Sequence, residues 1–374
     1  MSDMTSKPNI AIVGGGPGGL MLARLLRLRG LKPVVFERDR HAGERPQGGS
    51  LDLHGDTGQR AMRLAGLETE FSAAARPEDQ GDRLYDQNAT LLFDRDGAGD
   101  DRPEIDRTVL RQILLDSLLP GTVRWGSKVE AITSAADGYD VLVGGAAERF
   151  DVVVGADGAW SCVRPLLTAA TPRYEGVTLV EFGFEATRHV AVDALVGGGK
   201  MFAVGDNRIL IAQRNGRGHI RGYAGLRLSE QAASEWKAQA PDRVRAMLRE
   251  AFSGWAPSLT DLIESGDFIG VRPLYALPIG YKWQSRTGIT LLGDAAHLMS
   301  PFSGEGVNLA LADAVELADA LCSAGGWHAV AACEAGIMER AAPAAEGAAE
   351  GLNGSVSSDG AAAVLDHYRE RVSA

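Results

Sequence analysis

The sequence has few cysteines, few aromatic residues and no excess of positive charge. Its 374 residues include 3 cysteines without metal-ligand spacing, which fits a reducing compartment rather than a disulfide framework. The formal net charge of -11, without a basic stripe, argues against nucleic-acid binding. No run approaches the ~20 apolar residues of a membrane span, and the N-terminus lacks an apolar signal region. We therefore expect a cytoplasmic monomer without nucleic-acid or membrane partners.

The N-terminal region has the pattern of a β-α-β unit. Apolar runs at residues 9–13 and 33–37 flank a segment in which leucines recur at helical spacing. Between them, Gly14, Gly16 and Gly19 fit G-x-G-x-x-G, in which the first glycine turns, the second admits a pyrophosphate and the third packs helix on strand. Glu37 ends the second strand, where an acidic group accepts ribose hydroxyls. The pattern predicts a dinucleotide site, which NAD and FAD would fit equally.

A second region of interest lies in the C-terminal third of the chain. An apolar run ends at Gly293-Asp294, the chain turns through Pro301 and Gly304, and a periodic helix begins around Gly306 and Val307. Unpaired N–H groups at a helix start favour an anionic group, and a carboxylate after a strand suits a hydroxyl-bearing one. One ligand could use both features.

A third strand end carries Asp157-Gly158, followed by Ser161 and Arg164. This stretch and residues 291–308 resemble the Asp-Gly and Gly-Asp motifs of the flavoprotein aromatic hydroxylases, the single-component FAD-dependent monooxygenases. The resemblance implies that the dinucleotide is FAD. It also implies that Asp294 holds the ribityl chain and that the helix start at Gly306 and Val307 faces the N1–C2=O edge of the flavin. For Asp157, support of the cofactor loops without direct contact remains an alternative.

Residues 45–67 and 103–115 look most like the tetracycline-inactivating flavin monooxygenases. By that resemblance, Asp52 and Arg107 contact FAD. A helix-capping ion pair is the alternative interpretation of these two side chains.

Two further arginines follow Glu37. The resemblance implies that Arg45 lies beside the flavin where NADPH or NADH approaches, and Arg38 is a candidate to lie over the adenine; exposed surface charges are the alternative for both. A single G-x-G-x-x-G leaves no second unit to hold a nicotinamide cofactor permanently. We therefore expect NAD(P)H to dock transiently.

The resemblance also predicts the reaction. It implies oxygen insertion from O2, through a flavin C4a-hydroperoxide, into an aromatic or polycyclic substrate, with tetracycline-like antibiotics among the candidates. The cofactor carries this chemistry, so we expect no catalytic side chain and no metal, and we interpret His297 as a support for its turn. The alternatives are an FAD oxidase, reductase or epoxidase of the same fold, and a flavin-containing protein that sequesters a ligand without turnover.

The predicted architecture is α/β. A Rossmann-like FAD-binding domain with a β-meander is joined by a mostly antiparallel substrate-binding sheet and a C-terminal helix. We expect the FAD-binding domain to comprise residues 1–75, 101–172 and 273–325. Residues 76–100 make an excursion toward the substrate domain, residues 173–272 form that domain, and residues 326–374 form a C-terminal helical segment.

Overall fold

The computed structural model describes residues 7–45 and 48–373, which form a mixed α/β fold, as predicted. The strands are β1 (Ile10–Val13), β2 (Val34–Phe36), β3 (Ser50–Asp52), β4 (Gly81–Asp86), β5 (Leu91–Arg95), β6 (Glu104–Asp106), β7 (Val123–Arg124), β8 (Val129–Ala135), β9 (Gly138–Val143), β10 (Ala146–Phe150), β11 (Val152–Gly155), β12 (Arg173–Glu185), β13 (Gly199–Gly205), β14 (Arg208–Arg214), β15 (His219–Arg227), β16 (Asp267–Ala276) and β17 (Ile289–Leu291). The α-helices are α1 (Pro17–Leu28), α2 (Gly58–Leu64), α3 (Glu68–Ala74), α4 (Arg107–Asp116), α5 (Val190–Val196), α6 (Glu230–Lys237), α7 (Pro241–Ala251), α8 (Pro257–Glu264), α9 (Asp294–His297), α10 (Gly306–Cys322), α11 (Trp327–Ser355) and α12 (Gly360–Ser373).

The first sheet is parallel, with strand order β17-β11-β1-β2-β7. Its residues alternate between two cores. Ile10 and Ile12 pack with α1 and α10, whereas Ala11 and Val13 pack with the β8-β9-β10 meander. Both faces are therefore covered, which is why these strands read as continuous apolar runs.

The second sheet has the order β16-β12-β15-β14-β13-β4-β5 and is antiparallel except between β13 and β4. Helices α5, α7 and α8 pack on one of its faces, together with Trp236 of α6. On the other face, the apolar end packs against Leu352, Val356 and Tyr368 from the C-terminal segment. The same face also carries the polar residues Lys200, Gln213, Arg221 and Glu181.

A short antiparallel ribbon of β3 and β6 pairs Ser50 with Asp106 and Asp52 with Glu104. Alternate residues of a strand share a face, so these four side chains lie on one side of the ribbon. A salt bridge between Glu104 of the ribbon and Lys200 of β13 links this side to the second sheet.

The C-terminal segment, predicted to be helical over residues 326–374, contains two helices. Helix α11 continues to Ser355, and a short turn separates it from α12. Burial of Leu352 and Val356 against the second sheet stabilises a stretch that looks weakly structured by composition. None of the described helices is both long and apolar enough to cross a membrane.

Candidate active site

Four of the predicted site residues follow strands of the parallel sheet. Gly14 follows β1, Glu37 follows β2, Asp157 comes two residues after β11, and Asp294 comes three residues after β17. All neighbouring pairs in this sheet are parallel, so these strand ends meet at one edge. The carboxyl edge of such a sheet is where this class of fold binds ligands. The fold therefore assembles one site from distant parts of the sequence.

The glycine-rich turn is held by its neighbours. Gly14 has φ +109°, which favours glycine, and its N–H donates to the carbonyl of Phe36 at 2.9 Å. A methyl group on Gly19 would overlap the Gly14 carbonyl oxygen, so this glycine permits the helix to pack on the turn. A methyl group on Gly16 would meet nothing within 4 Å. The start of α1 is thus open on the side where a ligand would approach.

Glu37 is buried and contacts protein groups through both of its carboxylate oxygens. Its Oε2 accepts the Gly15 N–H at 2.9 Å, and its Oε1 accepts the Asp39 N–H at 2.9 Å. The contact of the Glu37 carboxylate with the ribose hydroxyls of the cofactor remains a prediction. The structure adds that the same carboxylate fixes the glycine turn.

Arg111 is a site residue that the sequence interpretation missed. It is buried on α4, where Nε donates to the Gly15 carbonyl and Nη1 to the Ala42 carbonyl, both at 3.0 Å. Nη2 lies 3.4 Å from Oε2 of Glu37. Burial lowers the pKa of Arg111, and the carboxylates of Glu37 and Asp39 oppose that shift. The available signal was its position one helical turn after Arg107, on the same side of α4.

The three arginines that the sequence did predict, Arg38, Arg45 and Arg107, are exposed. Arg107 begins α4 and its side chain lies beside Gly48. Arg45 forms a salt bridge with Asp39 at 2.9 Å, and Arg38 lies at the surface. Their predicted contacts with FAD and NAD(P)H stay predictions.

The second part of the site is the turn before α10. Asp294 is exposed at the start of α9, and Gly304, beyond Pro301, has φ +70°. Helix α10 begins at Gly306 and contains 17 residues, and a methyl group on Gly306 would meet nothing within 4 Å. The helix start around Gly306 and Val307 is therefore open and carries partial positive charge.

His297 belongs to a buried network beneath this turn. Its Nε2 lies 2.6 Å from Oδ2 of Asp313, which also accepts the Gly293 N–H at 3.0 Å. Arg340 donates to the other oxygen of Asp313 at 3.3 Å. Burial opposes a charged His297, but the charge and hydrogen bond of Asp313 outweigh it and raise the pKa of the imidazole. This geometry agrees with a role in holding the Gly293-Asp294 turn.

Asp157 fixes the third strand end. Its Oδ2 accepts the Cys162 N–H at 2.7 Å. Its Oδ1 is buried, and within the described residues no group hydrogen-bonds to it. An unsatisfied buried carboxylate oxygen is costly and is a candidate to accept a hydrogen bond from a ligand.

Asp52 lies between the ribbon and the α10 turn. Asn308 of α10 donates to the Asp52 carbonyl at 3.0 Å, and a methyl group on Gly304 would lie 3.5 Å from Oδ1 of Asp52. Burial alone would raise the pKa of Asp52, but a hydrogen bond with His54 and the charge of Lys200 lower it. Asp52 therefore presents an ionised carboxylate beside the predicted flavin position.

The polar part of the second sheet faces this edge. Cross-strand register places Asp82, Lys200, Gln213 and Arg221 in one row across β4, β13, β14 and β15. Gly49 lies over this row, because a methyl group there would lie 3.6 Å from the Cβ of Arg221. The row thus lies directly below the loop that leads into β3.

The next row contains Tyr223 and Glu181, which are paired across β15 and β12. Glu181 is buried and contacts Nη1 of Arg221 at 3.1 Å and Nε of Arg272 at 2.9 Å. Burial, with the charge of Glu181, raises the pKa of Tyr223 to about 12. Tyr223 therefore stays a neutral hydroxyl that can donate a hydrogen bond.

Glu104 is buried between the ribbon and the polar row. Ser50 Oγ donates to its Oε2 at 2.7 Å, and Lys200 Nζ lies 3.9 Å from its Oε1. Burial raises the pKa of Glu104 to about 7, although the positive charge of Lys200 opposes the shift. Sequence interpretation missed this residue because nothing in its local pattern signals burial.

The residues at the carboxyl edge fit a flavin dinucleotide. Two open helix starts, at Gly16 and Gly306, offer N–H groups to anionic or carbonyl oxygens. Asp157 supplies an unsatisfied acceptor oxygen, and Asp294 presents an exposed carboxylate three residues after β17.

A family model described as FAD binding domain matches residues 7–346. The chain belongs to this family of FAD-dependent monooxygenases. Among curated relatives, Monooxygenase penA of Penicillium thymicola is 34% identical over 370 residues, with 85% of each chain covered. The 3-amino-4-hydroxybenzoate 2-monooxygenase PtnB3 of Streptomyces platensis is 29% identical over 343 residues, covering 86% of this chain and 81% of that one.

Solved structures share the fold. Klebsiella pneumoniae HpxO, complexed with FAD and uric acid, has a TM-score of 0.82 at 22% identity, covering 97% of this chain and 92% of its own. The tetracycline destructase Tet(55) has a TM-score of 0.76 at 21% identity, covering 99% and 96%. FAD as the cofactor and oxygenation as the reaction class therefore apply to this chain, as predicted from the motifs.

Proposed function

We propose that this FAD monooxygenase consumes NADPH or NADH and hydroxylates an aromatic or polycyclic substrate bearing an acidic hydroxyl. The observation that carries the substrate class is the side-chain cluster on the second sheet, where Arg221, Arg272 and Glu181 adjoin Tyr223. This cluster lies beneath the Gly48-Gly49 loop, next to the carboxyl edge of the parallel sheet.

For the cofactor, we propose that the ADP half occupies the open start of α1 near Glu37, that Asp294 holds the ribityl chain, and that the start of α10 faces the ring edge. Asp157 and Asp52 would contact or support this arrangement. The helix dipole of α10 would stabilise negative charge on the ring without a proton transfer. When bound, FAD supplies electron acceptance and oxygen activation.

For the substrate, two arginines against one glutamate give the cluster a net positive charge. A planar guanidinium binds carboxylate or phenolate oxygens in a fixed geometry, and an aromatic ring suits the adjoining Tyr223. Glu181 holds both guanidinium groups, so it would orient them toward one substrate oxygen. Two similar proteins support a small ring compound as substrate: PtnB3 is named for an aminohydroxybenzoate, and the HpxO structure holds uric acid.

The test is NAD(P)H oxidation by the holoenzyme with a panel of phenols, hydroxybenzoates, anthraquinones and tetracyclines, followed by product mass spectrometry with 18O2. We expect at least one acidic hydroxyl-bearing ring compound to stimulate oxidation and to gain one labelled oxygen atom. Stimulated oxidation that yields only hydrogen peroxide or a reduced ligand would instead support an oxidase or reductase. Ligand binding without stimulation would support a sequestering protein.

A further inference from the structure

His54 lies between two carboxylates that face different environments. Its Nε2 is 3.2 Å from Oδ2 of Asp52, and its Nδ1 is 3.5 Å from Oε2 of Glu305. The His54 side chain is 8% exposed, whereas the Glu305 side chain is 31% exposed. Asp52 lies beside Gly304, at the predicted flavin position. The three side chains therefore form a line from the predicted flavin position to the partly exposed carboxylate of Glu305.

The backbone holds this line in place. The His54 N–H donates to Oδ1 of Asn308 at 2.9 Å, and the Asn308 amide donates to the carbonyls of Asp52 and Gly304 at 3.0 and 3.3 Å. One buried asparagine thus positions both the His54 loop and the turn before α10. Asn308 thereby ties the backbones of Asp52 and of Gly304, which precedes Glu305, to the backbone of His54.

Monooxygenation by the proposed function requires a proton. One substrate C–H, one O2, one NAD(P)H and one H+ give one C–OH, one NAD(P)+ and one H2O, so each turnover takes up one proton from solvent. An active site that excludes water needs a route for that proton. Histidine is suited to such a route because each ring nitrogen can accept or donate a proton near neutrality.

We propose that Glu305, His54 and Asp52 form a proton-transfer path between solvent and the predicted flavin site. In the inward direction, the Glu305 carboxylate takes a proton from water and passes it to Nδ1 of His54. The Nε2–H bond then breaks as Asp52 Oδ2 accepts that proton and offers it to the predicted flavin site. Nothing is oxidised or reduced, and each carboxylate returns to its ionised form. The imidazole then carries its proton on Nδ1, and a flip of the ring turns that N–H toward Asp52 for the next transfer. The assignment of the proton's destination rests on the proposed function.

Other charged groups around the line do not interrupt it. Lys200 and Glu104 act on Asp52 from the second sheet and the ribbon. Arg63 of α2 donates to the Gly55 carbonyl, and Asp101 contacts the side chain of Gln59. His54 itself is contacted by carboxylates at both ring nitrogens, on β3 and on the turn before α10.

The first test compares His54→Gln with the matched control His219→Gln, because His219 pairs with Glu185 at 2.8 Å on an exposed part of the second sheet. We expect His54→Gln to lower kcat about 10- to 100-fold at neutral pH while FAD content stays at the wild-type level. Added imidazole, as a mobile proton carrier, should restore part of the rate, and His219→Gln should behave as wild type. Wild-type kcat and pH profile in His54→Gln, or a loss that no concentration of imidazole relieves, would overturn the path.

The second test needs no turnover. In 15N-histidine-labelled protein without flavin, Asp52→Asn should shift the NMR resonance of Nε2 of the His54 ring, and Glu305→Gln that of Nδ1, because each replacement removes the carboxylate that faces that nitrogen. His219→Gln should leave both resonances in place. Unchanged His54 resonances in both variants would contradict the line of contacts even if no panel compound stimulates NAD(P)H oxidation. Failure of the proposed function and failure of the path are therefore distinguishable.

Discussion

The carboxyl edge of the parallel sheet and the polar face of the second sheet present different chemical groups to a ligand. At the edge, two helix starts and a glycine turn present backbone groups, and side chains such as Glu37 and Arg111 mainly hold that backbone. On the polar face, the backbone is occupied by strand pairing, and the groups on offer are the side chains of Arg221 and Tyr223.

This difference separates two kinds of specificity. A surface made of backbone dipoles tolerates little change in conformation and suits a ligand that is the same in every relative. A surface made of side chains can change its substrate by single replacements while the strands keep their pairing. We infer that the cofactor site is set by fold, and that the substrate site is set by a few residues on β12, β15 and β16.

The largest expected effect follows from the glycine turn. Gly14→Ala should destabilise the protein by at least about 3 kcal/mol, because Gly14 has φ +109° and a methyl group would overlap the Ala156 carbonyl. Gly16→Ala has open space and an ordinary φ of -79°, so it should leave the stability of the flavin-free protein unchanged. It should still weaken FAD binding, by obstructing close approach to the helix start.

Chemical denaturation of flavin-free protein and fluorescence titration with FAD measure these two effects separately. Equal unfolding midpoints for Gly14→Ala and Gly16→Ala would show that the glycine-rich turn after β1 is not rigid.

The next effect concerns the boundary between the two regions. Glu104 is buried there, and its pKa is raised from 4.5 to about 7. The folded state therefore holds this proton more tightly than the unfolded state, so the contribution to stability is complete below pH 4.5 and is lost as the pH rises through 7. The loss should be about 3 kcal/mol at pH 8.

Glu104→Gln keeps the shape and removes the titration. Its free energy of unfolding, measured by urea denaturation from pH 4.5 to 8, should fall less with rising pH than that of the wild type. Parallel curves for the two proteins would mean that Glu104 is ionised in the folded state throughout.

The residues at the carboxyl edge of the parallel sheet were easier to predict from the sequence than those on the polar face of the second sheet, for a physical reason. Gly14, Glu37, Asp157 and Asp294 all follow strands, and parallel strands bring their ends together whatever lies between them. Their local patterns therefore carried the information. The β-α-β unit and the α/β class followed from the same periodicities and are confirmed.

The missed residues depend on distant partners. Arg111 gains its role by contacting Gly15, 96 residues away, and Asp313 by receiving Gly293 and His297 from another segment. The polar row exists because the register of β13, β14 and β15 aligns residues from separate strands. Strand register and long-range contacts depend on several segments at once. The local sequence of one segment therefore does not predict them.

The central claim is that the carboxyl edge holds FAD and the polar face holds the substrate. The most direct test measures, in Asp294→Ala and Arg221→Met, both the Kd for FAD and the Kd for the most effective panel substrate, the latter from the change in flavin absorbance of reconstituted protein. We predict a roughly 10- to 100-fold weaker Kd for FAD in Asp294→Ala alone, and a similar loss for the substrate in Arg221→Met alone. Weakened FAD binding in Arg221→Met with full FAD affinity in Asp294→Ala would contradict the account.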